Sequence, residues 1–161
     1  MTIELQTALV DELALVIGAL IDSPTDAALA PAGGTGRCWV ASIEAVPASR
    51  GTATIAFDEA GASAITALAM GLTGEVPDKA VADTLRETLA QALAALAQNP
   101  AAAGVAFRVT GIARVEAAPD GADRMAFSIV AAKVPAPITV DVAGAIDVSP
   151  LAAGAVAPPV T

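Results

Sequence analysis

The chain has 161 residues, with 17 acidic side chains against 8 basic ones and a formal net charge of −9. That balance excludes a nucleic-acid binder, which needs a basic stripe for phosphates. The lack of His and the single Cys exclude His-based triads, ordinary structural zinc sites and an internal disulfide.

The first element runs from about Thr2 to Ile21, where Leu5, Leu9, Leu13, Val16 and Leu20 recur at helical spacing between Glu4, Asp11 and Glu12. Ser23-Pro24 ends it, because the residue before proline is driven out of the helical region. A loop rich in Ala, Pro and Gly then leads to Arg37. Two strands follow. In residues 37–46, Trp39, Ala41, Ile43 and Ala45 share a face; in residues 51–57, Ala53, Ile55 and Phe57 do the same. Pro47 to Gly51 supplies the hairpin connection.

A short helix is expected over about Glu59 to Leu72, with Gly71 and Gly74 near its end. A longer one follows from Asp78 to Gln98, opening on an acidic residue suited to the positive end of the helix dipole and stopping at Asn99-Pro100. Three strands complete the order, over residues 105–115, 124–132 and 138–146. Asp120-Gly121 and Pro135-Ala136-Pro137 mark the turns between them. Residues 1–148 thus read as one domain. Residues 149–161, rich in Pro and Ala and uncharged, read as a flexible tail or a linker to a further domain.

With 55% hydrophobic residues, 2% aromatics and 42 alanines, the core must be built from Ala, Val, Leu and Ile. The mean hydropathy of +0.67 raises the question of a membrane span. The best candidate, the uncharged run from Thr88 to Phe107, reaches the ~20 residues that spanning needs. Gln91, Gln98, Asn99 and Pro100 interrupt it, so it reads as a helix end, a turn and a strand start. Met1 to Gln6 lacks the basic flank and apolar run of a signal peptide. The expectation is a soluble, cytoplasmic protein without membrane insertion, cofactor or bound metal.

Three motifs fail on their chemistry. Gly33-Gly34-Thr35-Gly36-Arg37 has the glycines of a phosphate loop, but no Lys-Ser or Lys-Thr follows, and a strand follows in place of a helix. Cys38 has only Arg37 as a nearby cation in sequence and no His, so it reads as a small buried hydrophobe. Ser63, in Gly-Ala-Ser-Ala-Ile, lacks the second glycine of a nucleophile elbow and any His base.

The long helix is more informative. At 100° per residue, Val81, Leu85, Leu89, Ala92, Leu93 and Leu96 form a core stripe. Asp83, Glu87 and Gln91 lie nearly opposite, with Ala90 and Ala94 among them. Such a face is a solvated polar surface or, alternatively, a carboxylate and an amide held ready for a partner.

Phe57-Asp58-Glu59, then Ala69-Met70-Gly71-Leu72, then Asp78 to Glu87 with its Asp-x-x-x-Glu, resemble the CheC/CheX-like domains of bacterial chemotaxis and the flagellar switch. The likeness extends in element order over most of residues 2–148. It implies an α/β fold of three helices packed on a largely antiparallel sheet. In phosphatase members the second of these helices carries Glu-x-x-Asn. The Glu engages the response regulator CheY, and the Asn orients the water that attacks its aspartyl phosphate. Such an amide works because it donates and accepts at once.

On this chain the Glu position is Glu87 and the Asn position is Ala90, which can orient no water. Gln91, one residue later and still on the Glu87 face, is the candidate for a displaced substitute. A second motif on the first helix is absent, since Leu15 stands three after Glu12. The resemblance therefore points to a catalytically silent binding or assembly domain, such as the N-terminal domain of a FliN- or FliY-like protein. Its partner is a CheY-like response regulator or a flagellar switch protein, met across Asp83, Glu87, Ala90, Gln91 and Ala94; a homodimer is compatible with this. The alternatives are a CheY phosphatase using Glu87 and Gln91, and a CheC-like domain serving a system unrelated to motility.

Overall fold

The computed structural model describes residues 1–31 and 36–148. Ala32 to Thr35, and with them most of the glycine-rich motif, lie outside the described residues, as does the 149–161 segment. The elements in chain order are α1 (Ile3–Ile21), β1 (Thr25–Leu29), β2 (Cys38–Val46), β3 (Gly51–Asp58), α2 (Glu59–Met70), α3 (Asp78–Ala97), β4 (Ala106–Val115), β5 (Met125–Ala131) and β6 (Ile138–Ile146). The six strands form one sheet in the order β1-β5-β6-β3-β2-β4, every neighbouring pair antiparallel.

Helix boundaries follow from local chemistry. The Thr2 side chain accepts a hydrogen bond from the Leu5 amide at 3.1 Å, satisfying one of the free N–H groups that open α1. Asp58 works at both of its oxygens. One accepts from the Gly61 amide at 2.9 Å to cap α2, and the other accepts from the Thr139 amide at 2.7 Å, joining that helix start to β6. Gly61 is required there, since a Cβ would sit 2.8 Å from the Ile138 side chain. Gly71 ends α2 in the left-handed conformation.

The three helices cover one face of the sheet. α1 lies against β1 and β5, α3 against β4 and α1, and α2 fits between them near β3 and β6. The core between the layers contains Leu5, Leu9, Leu13 and Ile17 from α1, and Leu85, Leu89, Leu93 and Leu96 from α3. Trp39, Ala41, Ile43 and Ala45 of β2, with Ala53, Ile55 and Phe57 of β3, meet them from the sheet, as the alternation requires. On α1 the apolar stripe passes through Ile17 and Ile21, leaving Val16 and Leu20 half-buried at its edge. The opposite face of the sheet holds a smaller cluster of Cys38, Val40 and Ala56 against Ala118 of the β4–β5 connection.

The sequence reading of a loop from Ser23 to Arg37 misses β1. That strand lies at the edge of the sheet, is largely exposed and is held by its register with β5, Thr25 opposite Ala131 and Leu29 opposite Phe127. Thr-Asp-Ala-Ala-Leu has neither strong β propensity nor apolar alternation, so backbone pairing alone defines it.

Candidate functional site

α3 separates its side chains as the spacing predicts. Val81, Leu85, Leu89, Ala92, Leu93 and Leu96 are buried, and Thr88 joins them by donating its hydroxyl to the Thr84 carbonyl at 2.7 Å. Asp83, Glu87, Ala90, Gln91 and Ala94 are all exposed on the other side. The five candidate residues are therefore brought together on one solvent-facing strip of a helix whose inner face is fixed by the core.

Two contacts order that strip. The Gln91 side-chain amide donates from Nε2 to Oε1 of Glu87 at 2.9 Å, and Lys79 Nζ pairs with Asp83 at 2.8 Å. Both join residues four apart, the spacing at which helical neighbours meet. Beside and beyond the Glu87–Gln91 pair, Ala90 and Ala94 leave the surface low and smooth. The chemistry available is consequently limited. Ala90 offers a methyl group, and one of the two Nε2 hydrogens of Gln91 is directed at Glu87. Neighbouring α1 presents Leu15, 67% exposed, three residues after a half-buried Glu12.

Sequence reasoning missed two charged clusters elsewhere. Arg114 of β4 reaches Glu59 of α2 at 2.7 Å and Asp78 of α3 at 2.8 Å, while Arg37 bridges Glu59 and Glu116. Arg124 pairs with the buried Asp141 on the sheet's outer face at 2.5 Å, and this hydrogen bond raises the pKa of its guanidinium further. The partners are far apart in sequence, and no local motif marks them. Cys38 is buried as expected. Burial, followed by the Asp141 carboxylate and then Asp58, pushes its thiol above the ordinary value, the nearby Arg124 opposing them. Among the described residues no three His, Cys, Asp or Glu side chains are placed to hold a metal ion. No described helix is long and apolar enough to cross a membrane.

No protein-family model matches the sequence, and no curated protein matches it either. Solved structures do. FliY from Thermotoga maritima superposes with a TM-score of 0.65 at 16% identity, covering 90% of this chain and 92% of that one. The chain has the CheC/CheX-like fold. The chemotaxis protein CheX from Desulfovibrio desulfuricans gives 0.61 at 14% identity, over 88% of this chain and 99% of that one. CheX from Borrelia burgdorferi, solved in a complex with CheY, BeF3 and Mg2+, gives 0.56 at 16% identity, over 89% and 99%. The expected three helices on an antiparallel sheet are those of these CheC/CheX-like neighbours.

Proposed function

We propose that this chain is a cytoplasmic protein-docking domain of the chemotaxis and flagellar-switch type, which engages its partner across the outer face of α3 without hydrolysing a phosphoryl group. The observation that carries this reading is the state of the α3 strip. Glu87 is exposed, Ala90 offers only a methyl group at the position where the resemblance expects the water-positioning amide, and one N–H of Gln91 is donated to Glu87 at 2.9 Å. A methyl group neither donates to nor accepts from a water, so Ala90 cannot set one in line with a partner's phosphoryl group.

The fold likeness to FliY and to a CheX that was solved with CheY supports a protein partner, either a switch component or a CheY-like response regulator. A helix face with small residues beside carboxylates suits such docking, because a partner helix or loop can approach closely over Ala90 and Ala94.

Binding tests the reading directly. The domain is titrated with a CheY-like regulator and with switch proteins, and Ala90→Arg is compared with the parent. The long side chain is expected to reduce affinity at least tenfold while the circular dichroism spectrum and melting temperature stay unchanged. Equal affinity in a folded Ala90→Arg variant would show that this face is only solvated.

A further inference from the structure

Arg86 stands apart from the other cations of the chain. The 17 acidic side chains outnumber the 8 basic ones, so carboxylates are abundant. Each of the other Lys and Arg side chains comes within 4.0 Å of at least one of them. Arg86 is exposed on α3 and enters no ion pair among the described residues.

The local sequence explains this isolation. Ion pairs along a helix form between residues three or four apart. Four residues to either side of Arg86 stand Ala82 and Ala90, and three to either side Asp83 and Leu89. Leu89 is buried, and Asp83 is held by Lys79 at 2.8 Å. The guanidinium, a permanent charge with five N–H donors in a planar fork, is left to water.

Its place on the helix relates it to the docking strip. At about 100° per residue, Ala90 and Ala94 fall between Arg86 on one side and the Glu87–Gln91 pair on the other. The smooth lane is therefore bordered by a positive and a negative edge. A partner lying along the lane meets both, and the opposite signs fix its direction. The exposed Asp83 and Glu87 close by disfavour a doubly charged phosphoryl group. A carboxylate carries a single charge and matches the fork bidentately.

We propose that Arg86 is the specificity determinant of this strip and pairs with a carboxylate on the protein partner. The inference rests on α3 being a docking face. It adds the chemistry demanded of the partner, an Asp or Glu placed across the alanine lane from the group that meets Glu87. The net charge of −9 makes the pairing selective, since acidic surface elsewhere on a partner is repelled.

Arg86→Gln and Arg86→Glu break no ion pair, so both variants should melt as the parent does. They are titrated with a purified CheY-like regulator, with and without BeF3− and Mg2+, and with purified switch protein, at two ionic strengths. For the partner that binds the parent, affinity should fall about fivefold in Arg86→Gln and further in Arg86→Glu. Added salt should weaken the parent more than Arg86→Gln. A single acid-to-Lys change on the partner should restore binding to Arg86→Glu while harming the parent. Unchanged affinity in Arg86→Gln, beside a loss in Ala90→Arg, would overturn this inference and leave the docking face standing. Unchanged affinity in both, or no binding by the parent, would remove the docking face and the inference with it. A defect confined to the BeF3−-treated regulator would assign the guanidinium to the phosphoryl group, and self-association lost in Arg86→Gln would assign it to a second copy. Either result would overturn the carboxylate pairing.

Discussion

The proposed function turns on one side chain at position 90. It is exposed on a helix whose opposite face is fully packed, so Ala90→Asn should cost only about 0.6 kcal/mol of helix propensity, readable as a small fall in melting temperature. The variant recreates Glu-x-x-Asn at Glu87. If the domain docks on a response regulator through this strip, dephosphorylation should become measurable; a folded variant that binds and yet gives no gain would mean that the surrounding surface has changed as well. Cys38 gives a second residue-scale expectation. Its thiol titrates above the ordinary 9.0, so the folded state is favoured at lower pH, where the thiol is protonated in both states. This contribution is present below pH 9.0 and is lost as the pH rises through the elevated folded value. Thiol reagents should therefore react slowly with the native protein at pH 7 and rapidly once it is unfolded; fast native labelling would contradict the burial. Cys38 as a buried hydrophobe was legible from its neighbours in sequence. The Arg124–Asp141 pair was not, because seventeen residues and a turn separate partners that meet only when β5 and β6 align.

Among the elements, α3 was the most legible, since period 3.6 assigns both its buried and exposed faces before any packing is known. Its two faces should respond oppositely to the same kind of change. Leu89→Ala, in the core, should cost about 2–5 kcal/mol in denaturant unfolding. Gln91→Ala should cost no more than a few tenths, because it removes one exposed contact and introduces a better helix former. A large loss in Gln91→Ala would mean that the strip is structural. β1 illustrates the opposite case. Its Asp26, Ala28 and Leu29 are exposed, so burial leaves no imprint on the sequence, and its partner β5 lies about a hundred residues later. Edge strands defined by a distant ladder are visible only in three dimensions.

For the whole molecule, the element order and a handful of residues around α2 and α3 pointed to the CheC/CheX-like fold, although identity to the superposed structures is only 14–16%. That was possible because such a fold depends on apolar periodicity and turn placement, which survive when individual residues change. The Arg114 ion-pair cluster escaped the same reading, since Arg114, Glu59 and Asp78 come from three different elements. The central claim is the proposal that a CheC/CheX-like fold here serves docking without hydrolysis. Release of phosphate from a phosphorylated CheY-like regulator tests it most directly. With the purified domain in excess, the rate should equal the regulator's own rate of dephosphorylation, and Gln91→Ala should leave it unchanged. Clear acceleration that disappears in Gln91→Ala would contradict the claim and make Glu87 and Gln91 a working catalytic pair.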